Sequence, residues 1–189
     1  LLDFKVMQGE LSRVTLLLQG AGEVTRVAGE QVLSWNVETV AGSDDRRLVV
    51  QLNQPQKDAF ALQLQMQTPL GAFPQTTDAM RIQPEGATRF AGSLRIVNAG
   101  AVRLEVTQAS GLSQISPEQF PETDATRNLL RASGSQRFAY RFSSAAYALK
   151  IQADQILPEL NVSEVLTYNL GQSELAIDGE LEVDVREAP

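Results

Sequence analysis

The chain contains neither cysteine nor histidine. Without cysteine there are no disulfides, no zinc-thiolate sites, no iron-sulfur clusters and no thiol nucleophile. Without histidine the usual near-neutral general base, the base of a serine-hydrolase triad and the commonest metal ligand are missing as well. Few enzyme mechanisms survive both losses, so the chain is expected not to be an enzyme and to carry no cofactor and no metal. Lysine occurs only at Lys5, Lys57 and Lys150, and arginine supplies the remaining positive charge in scattered positions. A net charge of -7 opposes binding to a phosphate backbone, and nucleic acid is not an expected partner.

Long apolar runs are also missing. The longest, Val14 to Leu18, is interrupted by Thr15 and falls far short of the roughly 20 residues a membrane-spanning helix requires, so no membrane span is expected. No basic-then-apolar leader precedes the first strand and the chain opens on Leu1, from which we expect a module excised from a longer chain.

What is present is an ordinary globular balance, 43% hydrophobic and 21% charged residues, in a chain of 189 residues. A chain of that length can bury about 70% of the surface its unfolded form exposes, enough for a core without staples. The strongest pattern is a period of two. From Phe60 to Gln67, Leu62, Leu64 and Met66 alternate with Gln63, Gln65 and Gln67, as in a strand with one dry and one wet face. Leu11 to Leu18, Glu23 to Val27, Gln31 to Val40, Arg46 to Leu52, Ala79 to Gln83, Ala87 to Val97 and Val102 to Gln108 read in the same way, parted by turn residues every eight to twelve positions. Asn98-Ala99-Gly100 is read as the tight turn of a hairpin.

Helix is expected in one place. Ser116, Pro117 and Gln119 fit a capping box with proline in the first helical position, and Thr123 to Arg131 fits a second short helix. Beyond it, Phe138, Tyr140 and Phe142 alternate with Arg137 and Arg141, and Pro158 marks a bulge or an edge. The last stripes are Leu160, Val162, Leu166 and Tyr168, broken by Glu164, then Leu175, Ile177, Leu181, Val183 and Val185. These features predict an all-β fold, an antiparallel β-sandwich with one or two short helices in the connection near 116–132. We read 1–189 as a single sandwich module, with 68–77, which carries Pro69, Gly71 and Pro74, as the candidate point of subdivision.

Candidate sites are few. Glu174, Asp178, Glu180, Glu182 and Asp184 stand opposite the last apolar stripe, spaced about 7 Å per pair of residues along an extended strand. A straight strand holds such carboxylates too far apart to share one calcium ion. We therefore read them as a solvated face that doubles as a candidate interaction face. Arg137 and Arg141, which project together, are expected to meet part of that row. Asp44 and Asp45 suit a turn. Trp35, between Leu33 and Val37, is expected in the core, with Tyr140, Tyr147 and Tyr168 treated alike; an exposed Trp35 would instead suit a sugar-stacking platform. Asn161-Val162-Ser163 matches a glycosylation sequon, and Gly20-Ala21-Gly22 lacks the third glycine and the helix of a dinucleotide site.

Gly111 to Pro121 (GLSQISPEQFP), Phe138 to Phe142 (FAYRF) and Ile156 to Val162 (ILPELNV) together resemble a recurrent segment of very large, uncharacterised, β-rich bacterial proteins of the cell envelope. Glu23 to Val37 is similar to a strand-turn-strand element of the same proteins. The resemblance carries no catalytic motif. It implies a non-catalytic structural or protein-interaction module of a larger exported bacterial protein, located in the cell envelope. Its partners would be neighbouring modules of the parent chain or another envelope protein. The alternative is a carbohydrate-binding β-sandwich module.

Overall fold

A computed structural model describes residues 1–69, 71–98, 100, 102–121, 136–156 and 159–186. Fifteen strands follow in order: β1 (Leu2–Lys5), β2 (Leu11–Gln19), β3 (Glu23–Ala28), β4 (Val32–Thr39), β5 (Arg46–Gln56), β6 (Ala59–Gln67), β7 (Gln75–Asp78), β8 (Arg81–Pro84), β9 (Gly92–Asn98), β10 (Val102–Ser110), β11 (Ser113–Ile115), β12 (Gln136–Phe142), β13 (Ala148–Gln155), β14 (Glu159–Leu170) and β15 (Leu175–Arg186). The described residues contain no helix beyond one 3-10 turn at Pro117–Gln119. Every described strand pairing is antiparallel. The fold is all-β and sandwich-like, as the alternation predicts, and its strands form five sheets.

Two of these sheets enclose the main core. One runs β4-β5-β2-β8, the other β1-β6-β3. Val14, Leu16 and Leu18 of β2 and Leu48, Val50 and Leu52 of β5 meet Phe60 and Leu62 of β6 and Val27 of β3 in a single buried cluster. The register explains the selection: Leu16 pairs with Leu48 and Val14 with Val50, which puts all four on the same face. Phe4 of β1 stacks on Phe60, its cross-strand partner, with centroids 5.0 Å apart. The alternation along β6 holds, with Gln65 and Gln67 exposed and Leu62 fully buried.

Two further sheets, β10-β13-β7 and β11-β12-β9, bury Ala139, Tyr140, Tyr147 and Leu149. Phe142 lies between Phe90 and Tyr147, at centroid distances of 5.2 and 4.9 Å. Chain order and sheet order part company here. β7 pairs with β13, whereas β8, which follows it at once, pairs with β2. Ala79 between them donates to the Leu149 carbonyl (2.8 Å), and the Arg81 guanidinium donates to the Tyr147 carbonyl (3.2 Å).

Three expectations are corrected. Asn98 and Gly100 do not make a hairpin turn, because β9 pairs with β12 and β10 with β13, so the connection passes between sheets. Asn98 is buried and organises that passage, donating to the Val102 carbonyl (2.5 Å) and accepting from the Gly100 N–H (3.2 Å). Ser116 is the residue before the 3-10 turn but makes no capping bond to the backbone; its hydroxyl donates instead to the Glu118 carboxylate. Tyr168, expected in the core, is 61% exposed. The second helix expected at Thr123 to Arg131 and the bulge at Pro158 lie outside the described residues.

Burial raises the pKa of Tyr140 above the ordinary 10.0, and burial does the same for Tyr147, where the nearby Arg81 charge opposes it. Both phenols are then neutral in the folded state at pH values where the unfolded chain has already lost those protons. The contribution of these two groups to stability should be constant below about pH 9.5 and fall as the pH rises through 10 and beyond. Urea midpoints measured from pH 8 to about 11 should show that fall, and changing both tyrosines to phenylalanine should flatten it. An unchanged slope in the double variant would mean that other groups drive the alkaline loss.

Candidate interaction surface

β14 and β15 form a two-stranded sheet of their own, paired in register from Glu159 with Arg186 to Leu170 with Leu175. The four-residue loop between them is closed by the Gly171 N–H donating to the Glu174 carbonyl (2.8 Å). Cross-strand partners share a face, so the register sorts every side chain. One face carries Leu160 with Val185, Val162 with Val183, Leu166 with Gly179, Tyr168 with Ile177 and Leu170 with Leu175; the Glu164–Leu181 pair adds its only charge. A methyl at Gly179 would sit 3.1 Å from a Leu166 methyl, so Leu166 lies across the glycine and levels the face.

No other described strand makes more than passing contact with either strand of this hairpin. Its apolar face is therefore open, from Leu166 at 45% exposed to Leu170 at 85%. The alternation shows the two apolar stripes, Leu160 to Tyr168 and Leu175 to Val185, but carries no sign that they stand open together. Period two shows that a face is apolar; it does not show that anything covers it.

The opposite face holds the predicted carboxylates. Asp178, Glu180, Glu182 and Asp184 alternate along β15, across from Thr167, Val165, Ser163 and Asn161. Glu174 is not among them, since it lies in the loop before β15 begins. Asn169 donates to the Asp178 carboxylate (3.0 Å). Arg137 and Arg141, expected to meet part of this row, lie on a strand that does not pair with it: β12 sits between β9 and β11, and β15 pairs with β14. Strand order depends on long-range packing, which charge pattern alone does not specify.

Trp35 is a further correction. Its register partner Val50 is fully buried, so the indole is on the inner side of its sheet. But β4 is the outermost strand there, and Trp35 and Val37 remain 37% and 39% exposed at the open rim. Leu33, at the bulge between Val32 and Ser34, is 69% exposed. The alternation gave the right side of the sheet but not the strand's position in it.

One open cleft of about 460 Å³ lies between β10 and the β11-β12 pair, lined by Leu104, Val106, Leu112, Phe138 and Tyr140 with Glu105 and Gln114. Among the described residues that line it, Glu105 is the one carboxylate. Comparison with protein-family models, with curated proteins and with solved structures finds no match.

Proposed function

We propose that this chain is a non-catalytic structural and interaction module of a larger exported bacterial protein, and that its working surface is the apolar face of β14 and β15. The observation that carries this reading is the ten apolar side chains exposed together on one face of a hairpin whose other face, Val165 and Ala176 apart, is polar. Contiguous apolar surface of this extent, rimmed by polar residues, is characteristic of protein contact sites. A two-stranded hairpin is also marginal by itself in water, so its order benefits from a covering layer. On this reading the partner is a neighbouring module of the parent chain or another protein of the cell envelope. The non-catalytic part rests on the missing histidine and cysteine and on a cleft with one carboxylate.

The second reading, a carbohydrate-binding module, is favoured by the open rim at Trp35. Its neighbours weaken it. Leu33 and Val37 offer no hydrogen bonds to hydroxyls, and the Asn36 amide is already engaged by Glu38 (2.9 Å).

At about 1 μM chain, anilinonaphthalene sulfonate should fluoresce several-fold more strongly than with a covered sheet protein, because the face is open to it. Val183→Glu should remove most of that signal while leaving the cooperative melting of the remaining sheets in place. Absence of dye enhancement in a chain that sediments as a monomer at that concentration would overturn the assignment of this face.

A further inference from the structure

We infer that the cover of the β14-β15 face is, for this chain in solution, the same face of a second copy, the two hairpins stacking as a four-stranded, two-layer unit. This rests on the functional assignment of the face above and names its occupant.

Area is the first argument. Each half-exposed aliphatic side chain on the face still shows on the order of 60–100 Å² to water. Nine of them together with Tyr168 amount to roughly 600–1,000 Å² per copy, so two copies would bury roughly 1,200–2,000 Å², the range of stable protein interfaces. The open strip at Leu33, Trp35 and Val37 is too small to match it.

Shape and charge agree. Both strands are 12 residues long and carry Leu, Val and Ile at matching intervals, and Leu166 fills the gap at Gly179, so the face is an even layer able to pack on its like at the usual sheet spacing of about 10 Å. Stacking apolar face to apolar face turns both rows of Asp178, Glu180, Glu182 and Asp184 outward, away from each other. Glu164 is the one charge in the contact. In a layer of only two strands it stands next to the rim, where its carboxylate can extend into water.

Sedimentation velocity from about 1 to 200 μM tests this, because interfaces of this size span micromolar affinities and tighter. The expected result is a monomer-dimer equilibrium that strengthens with added salt, which screens repulsion between two chains of net charge -7. Val183→Glu should abolish the dimer, and Glu164→Leu should tighten it several-fold, whereas Glu180→Gln on the opposite face should not weaken it. A chain that binds dye at 1 μM yet stays monomeric throughout overturns this inference and leaves the face assignment standing. So does a dimer indifferent to Val183→Glu, or a monomer that floats with neutral phosphatidylcholine vesicles. No dye binding and no dimer removes both.

Discussion

Leu48→Ala is expected to lower the stability of the fold by about 3 to 5 kcal/mol, the loss observed when a well-enclosed leucine leaves a cavity. Leu48 is fully buried on β5, an interior strand of the four-stranded sheet, in register with the equally buried Leu16 on β2. Both are roofed by Phe60 and Leu62 of the facing sheet, and a strand held on both sides cannot move in to refill the space. Leu16→Ala should cost a similar amount, and the double variant should depart from the sum of the two, since the cavities merge. Met7→Ala, at a residue 78% exposed, should fall within about 0.5 kcal/mol of the parent. Urea denaturation followed by circular dichroism gives all four values. A loss below about 1 kcal/mol at Leu48 would mean that the two sheets do not enclose this side chain as described.

Gly111→Ala is expected to cost about 2 to 4 kcal/mol, from two separable sources. Gly111 leads from β10 into β11, strands of different sheets, with φ of 69°. An added methyl would overlap the Ala146 carbonyl and press on Tyr147 Cα at 3.1 Å, and both obstacles are backbone of the segment leading into β13. Gly42, at φ 76°, provides the comparison, because a methyl there would meet nothing within 4 Å. Gly42→Ala should therefore show only the left-handed conformational cost of about 1 to 2 kcal/mol. The same urea measurement separates the two terms. Equal losses at the two glycines would show that the 145–147 segment yields freely.

Strand existence was readable because alternation is a local property. β6 begins one residue before the Phe60 to Gln67 alternation and ends with it, and the turn at Asp44 and Asp45 is where turn chemistry places it, with Asp45 also accepting from the Gln19 amide (3.1 Å). The short helical turn expected after Ser116 is present as one 3-10 turn, Pro117–Gln119, with proline in its first position. What is missing is the capping bond: a cap needs the Ser116 oxygen to accept a backbone N–H, whereas here its hydroxyl donates to the Glu118 side chain.

The candidate site was half legible. Asp178, Glu180, Glu182 and Asp184 share one face, as strand geometry requires, yet the surface that distinguishes the hairpin is the other one. Trp35 shows the same division. Its neighbours assign it to the inner side, and only the sheet order β4-β5-β2-β8 reveals that this side opens to water at β4.

By itself, then, the sequence determined that the chain is all-β, where most strands run, which side chains share a face, and that histidine- and cysteine-dependent chemistry is absent. Only the tertiary structure decided that β7 and β8 go to different sheets, that β9 and β10 do not pair, and that β14 and β15 stand apart with an apolar face open. The reason is physical: a pleat dictates which way successive side chains point within a few residues. What lies opposite them depends on which distant strands come together, and that is settled by packing across the whole chain.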